Sequence, residues 1–280
     1  MFKTPWQILK NNMIFIQPIL LSLLLFMMSL TYLFGAFSLT KLLLAISVFM
    51  ATVAFMSGWF HINKLGIEDY NPDDEQTVIT EKTIKNFKQF FTGVGERFLK
   101  FLLGMLIFIV VYFAFMSGLG KICLETFGMP TMLQELSKVA QSITTQAELV
   151  TFLNGISFED KLVFSKWVLA TIVISSIMNF LGILYFTILT YESKNVLLSL
   201  WLTIKFVVQN FAKCISVIFV TFLLYIALNI LSVAFGSNAI SFAILIILLV
   251  LYFNYYVLLV FYLYDGKAKD NSDNRTELIG

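Results

Sequence analysis

The residues able to do chemistry are few and scattered. His61 is the single histidine of the chain. A zinc site takes three or four ligands, and neither Cys123 nor Cys214 stands at a ligand-like spacing from it. His61 therefore reads as an isolated polar side chain at the end of an apolar run. Asp73-Asp74-Glu75, after Asn71-Pro72, offers the oxygens that hard cations prefer, but lacks the ligand spacing of a calcium loop. A solvated acidic turn is the plainer reading. Ser117-Gly118-Leu119-Gly120-Lys121 has glycines and a lysine without the full phosphate-loop spacing, and HExxH and GxSxG patterns are absent. Asn274-Arg275-Thr276 matches a glycosylation sequon but falls in a polar tail. The cysteines are too few for a disulfide framework and are expected to be small packing residues. No nucleophile, metal site or acid/base pair can be assembled from these residues, so no enzymatic activity and no cofactor are expected.

Polar groups within apolar stretches are better candidates. Asn179, Asn229 and Asn254 each interrupt a long apolar run, and Gln17 with Pro18 adds a polar spot and a kink near the start of another. A side-chain amide in hydrocarbon lacks partners, so these residues are expected to turn inward and bond across helices or line a polar path. Lys100, Lys205 and Lys213 lie where apolar runs begin or end, and can extend to lipid headgroups. Tyr252, Tyr255 or Tyr256, Leu259 and Tyr262 can share one helix face. The inner tyrosines need hydrogen-bond partners and are expected to face the bundle.

The elements that carry these residues follow from composition. Of the 280 residues, 59% are hydrophobic and 13% charged, against about 25% charged in a soluble domain. Six stretches reach the roughly 20 residues that cross a bilayer: 13–34, 39–62, 98–118, 166–190, 212–235 and 239–264. None contains an acidic residue. Backbone groups in lipid must pair within their own segment, which selects helices. Runs such as 243–251 do not alternate as barrel strands do. The fold class is thus all-α, a six-span membrane bundle forming a single domain over 1–264, with the lipid bilayer as its partner. The net charge of +2 and the lack of a basic face argue against nucleic acid.

Of the 19 lysines and arginines, all but Lys41, Lys121, Lys138, Lys161 and Lys166 fall on one side of this arrangement. That side is expected to be cytoplasmic and to hold both termini, at a cell inner (plasma) membrane. On it, Thr80–Lys100 has Ile84, Phe87, Phe91, Val94 and Phe98 at helical spacing, and Lys194–Asn210 has the polar line Asn195, Ser199 and Thr203 with Trp201 as an interfacial anchor. Each is either a helix lying in the headgroup region or the extension of a long tilted span. Phe98-Leu99-Lys100 and Phe211-Ala212-Lys213 share an F-x-K pattern, and Trp6-Gln7-Ile8-Leu9-Lys10 leads into the first span similarly. This suggests three hairpins, each an interfacial helix followed by a span out and a span back. The outer loop 121–165 is read as a helical cap, with Ser157 and Asp160 capping the helix after it. The tail 265–280 is polar and expected to be disordered.

Leu197-Leu198-Ser199-Leu200-Trp201 leading through Val208-Gln209-Asn210-Phe211, and the run 256–264 ahead of a charged tail, resemble a loose group of bacterial six-span families. That group includes the membrane region of some glycerophosphodiester phosphodiesterases. The resemblance implies an integral membrane bundle. The phosphodiesterase activity does not carry over, because no such catalytic domain is present. The expected function is handling or transport of a lipid or amphipathic molecule, or a role in membrane homeostasis. The alternative is a structural or assembly subunit whose partner is another membrane protein or a second copy of the chain.

Overall fold

The computed structural model describes residues 2–33, 38–130, 154–192, 195–235 and 239–277. Nine helices and no strand occur among them. They are α1 (Lys3–Asn11), α2 (Gln17–Leu33, after a 3₁₀ turn at Met13–Ile16), α3 (Leu39–Glu68), α4 (Gln76–Lys88), α5 (Phe90–Phe127), α6 (Phe158–Glu192), α7 (Val196–Gln209), α8 (Phe211–Phe235) and α9 (Ala239–Glu277). The order is a short helix and two long ones, three times over. By length and apolarity α3, α5, α6, Phe211–Ser232 of α8 and Ala243–Gly266 of α9 can each cross a bilayer. The sixth candidate, Lys3–Asn11 with Met13–Ser29, is bent by 88°. The six apolar runs are therefore five continuous helices and one that starts after a right-angled bend.

The short helices are separate elements rather than straight extensions, and one polar residue marks each joint. Asn12 follows α1 with φ −119° and ψ 40°, and Asn210 follows α7 with φ −122° and ψ 31°. Both leave helical geometry, and both side-chain amides donate to the carbonyl four residues back, to Ile8 at 2.9 Å and Phe206 at 3.0 Å. Each of these carbonyls also accepts the asparagine's own backbone N–H, at 3.0 and 2.9 Å, so the side chain adds a second bond to the last turn. Gln89 holds the equivalent place between α4 and α5. The joints correct two expectations. Pro18 does not make the kink: it sits in the first turn of α2, where proline is tolerated, and the bend is at Asn12. The residue matching Phe211 is Phe90 rather than Phe98, so the F-x-K match is out of register by about two helical turns.

The chain divides into two compact units, Met1–Ile107 with Phe180–Gly280, and Phe108–Asn179. The first is centred on Phe60, whose ring lies 5.5 Å from Phe101, 6.0 Å from Phe186 and 5.3 Å from Phe261. Aromatic pairs at these separations add to simple burial. Close approach of α5 to α3 requires glycine, since a β-carbon on Gly93 would sit 2.4 Å from that of His61. The short helices bury what a soluble protein exposes. α7 buries Ser199 and Thr203, whose hydroxyls donate to carbonyls four residues back, and exposes Trp201, Ile204 and Val208. α4 buries Thr83 and Asn86 and exposes Val78 and Ile84. Such apolar outer faces suit lipid rather than water.

In the second unit, α5 runs on to Phe127 and ends at Gly128, whose φ of 77° is the left-handed conformation that favours glycine at a helix end. Trp167 Nε1 donates to the Gly128 carbonyl at 2.9 Å. Ser157 caps α6, accepting from the Asp160 amide at 3.2 Å. The expected outer cap falls largely on residues 131–153, outside the described residues. α9 does not stop at Tyr264 but continues to Glu277; Gly266 alone costs only about 1 kcal/mol in a helix. The tail expected to be disordered is thus helical as far as Glu277.

Candidate functional site

An open, apolar concavity lies in the first unit, between α1, α8 and α9. It is a groove of about 650 Å³, within the usual size range of small-molecule sites. One wall is the α9 face Leu248, Leu251, Tyr252 and Tyr255, at helical spacing. The facing wall is Val220, Leu224, Ala227, Leu228 and Leu231 of α8, and Phe2, Lys3 and Trp6 close one end. The tyrosines satisfy their polar tips on backbone. Tyr252 donates to the Thr221 carbonyl at 3.1 Å and Tyr255 to the Phe2 carbonyl at 3.2 Å. Their rings remain as apolar wall. Trp6 stands edge-on to Tyr255 at 6.1 Å, so the start of α1 is fastened to α9 by a ring contact and a hydrogen bond.

Two polar clusters flank the helix ends of the same unit. Arg97 Nε donates to His61 Nδ1 at 3.3 Å, and its Nη1 donates to the Thr190 carbonyl in the last turn of α6. A guanidinium on that carbonyl complements the negative end of the helix. Elsewhere, Lys82 pairs with Asp74 at 2.6 Å and donates to the Asp69 carbonyl, and Thr83 bonds Asn12 at 2.9 Å. The acidic turn is tied to α4 through Asp74, while Asp73 and Glu75 are exposed as a solvated turn requires. No three His, Cys, Asp or Glu side chains among the described residues are placed to hold a metal ion.

The polar-interior candidates separate. Asn254 is fully buried, and neither amide atom finds a partner among the described residues. Trp59 Nε1 and Asn63 Oδ1, on α3, are buried and unpartnered as well. Asn179, Asn229 and Gln17 are exposed, contrary to the expectation that they turn inward. Asn229 needs no neighbour, because its amide donates to the Tyr225 carbonyl in its own helix at 2.8 Å. Among the lysines, Lys205 and Lys213 are exposed and Lys100 half-buried. None of these candidates lines the groove; Tyr252 and Tyr255, read as inward-facing, do. The α8 stripe at spacings of 4, 3, 1 and 3, ending one residue short of Ser232, was the missed signal in the sequence. Both cysteines are free and buried.

Comparison with family models, with curated proteins and with solved structures gives no match to this chain. The fold itself defines the class: an all-α, multi-pass membrane protein with five to six apolar helices of crossing length.

Proposed function

We propose that this chain is a non-enzymatic protein of the inner (plasma) membrane, with both termini cytoplasmic, that handles a bilayer lipid by holding its acyl chain in the groove between α1, α8 and α9. The groove carries this reading. From Val220 to Leu231 it follows α8 for roughly 16 Å, at 1.5 Å per residue. That is about half of the ~30 Å hydrocarbon core, the reach of a chain in one leaflet. Its walls are apolar, and Leu224 and Leu231 are exposed, so the groove is open to lipid along its length. The right-angled bend lets α1 lie in the plane of the bilayer while α2 crosses it.

The protein purified in mild detergent is expected to retain lipid on native mass spectrometry. Ala227→Trp, which fills the groove, is expected to remove most of it. A lipid-free wild type, or retention unchanged by Ala227→Trp, would reject the reading. A second reading, an assembly subunit, is favoured by Asn179, whose amide is exposed within an apolar helix where a facing helix from another membrane protein or a second copy would satisfy it. A stoichiometric protein partner after the same purification supports that reading.

A further inference from the structure

We infer that the polar pocket between α1, the end of α3 and α4 binds one monovalent metal cation, sodium or potassium, held by the Asp69 carboxylate and the Asn86 amide oxygen. The inference is independent of the acyl-chain reading of the groove.

The pocket lies in the first unit and has a volume of about 20 Å³. A single water needs roughly 10–15 Å³, so there is room for one small occupant. Asn86 of α4 lines the pocket and is 3% exposed, yet its side-chain amide bonds to no described residue. Buried amides ordinarily have a partner, and the pocket is where this one can meet it. Asn11, at the end of α1, adds a second side-chain amide that bonds to no described residue. The Thr83 hydroxyl donates to the Asn12 side-chain oxygen at 2.9 Å and keeps acceptor capacity of its own. The lining is thus rich in neutral oxygens, the ligands that hard cations prefer.

Charge sets the sign and the valence. The two acids of the lining are Asp69 and Asp74. Lys82 offsets Asp74 at 2.6 Å, and its second bond goes to the Asp69 backbone carbonyl rather than to the carboxylate. The Asp69 carboxylate is left half-buried and bonds to no described residue. One negative charge therefore remains, which a single monovalent cation balances. A divalent ion would leave excess positive charge beside Lys82, and an anion would face Asp69. Asn71 in the lining is exposed, which gives an ion access from water. Asp69, Asn86 and Asn11 come from three different elements, already joined by the Tyr70–Gln7 bond at 3.0 Å and by Thr83–Asn12. A bound ion would add to these ties and stiffen the right-angled bend after α1.

The test heats the full-length protein in mild detergent at constant ionic strength, in sodium chloride, potassium chloride or N-methylglucamine chloride. Sodium or potassium is expected to raise the thermal midpoint saturably over N-methylglucamine, by about 3 °C or more at roughly ten times the dissociation constant. Asp69→Asn and Asn86→Leu should each abolish the rise, while their midpoints in N-methylglucamine stay close to that of wild type. Asp73→Asn, which removes an exposed charge outside the lining, should leave the rise intact. Equal wild-type midpoints in the three salts would overturn the inference and mark the pocket as a water site. A rise that survives Asp69→Asn, or one that is lost in Asp73→Asn, would overturn it too, by showing diffuse attraction to the acidic turn.

Discussion

Asn254 shows how burial and bonding diverge at a single residue. An unpaired amide in a dry interior costs about 1–3 kcal/mol, whereas an apolar group of similar shape costs nothing of the kind. Asn254→Leu is therefore expected to leave the thermal midpoint in detergent unchanged or raise it. A fall of several degrees would reveal a partner such as a bound water that the amide needs. Gly93 makes the opposite case. Gly93→Ala forces a β-carbon against that of His61 and is expected to cost about 1–3 kcal/mol, read as a lowered midpoint. Gly95→Ala, with open space around it, should change little. The sequence identified His61 as polar and alone, but its partner Arg97 lies 36 positions away, and no local spacing rule reaches that far. Asn179 and Asn229 stand in runs as apolar as that of Asn254. Which amide is buried depends on how helices rotate against their neighbours, and that is absent from the run itself.

The short helices were legible as amphipathic stripes ahead of long apolar runs. Their joints were not, because each turns on a single polar residue whose backbone leaves helical geometry. Asn12 and Asn210 look like ordinary polar residues until their backbone angles are seen to agree. Asn210→Ala removes the amide that donates to Phe206 and is expected to let α7 run on into α8. Trp201 reports the change: in wild type its fluorescence should be quenched by brominated lipid labelled near the headgroups, and in Asn210→Ala the most effective label should shift in depth. An unchanged depth profile would show that tertiary packing alone holds the joint.

For the molecule as a whole, the apolar runs and the scarcity of charge made a multi-pass helical protein readable from residue types, because a bilayer imposes length and apolarity on every crossing segment. The groove was hidden for the contrary reason. Its walls come from three elements, and the bond that closes it joins residues 253 positions apart, so no window of sequence contains it. The sidedness of the bundle rests on the lysine and arginine distribution. Single cysteines at Ser157 and Asn274, in a background lacking Cys123 and Cys214, are expected to react with an impermeant thiol reagent from opposite sides of sealed vesicles. Reaction from the same side would invalidate the arrangement of spans.

The tether between the beginning of α1 and Tyr255 constrains how the protein is made. Ribosomes deliver the chain from its amino end, yet Tyr255, on which Phe2 and Trp6 come to rest, follows Phe2 by 253 positions. Until then, the opening residues must wait at the bilayer surface, where lysines and an indole are well suited to keep them. A nascent chain arrested before residue 252 has no place to dock them, so the groove closes only after α9 has been made.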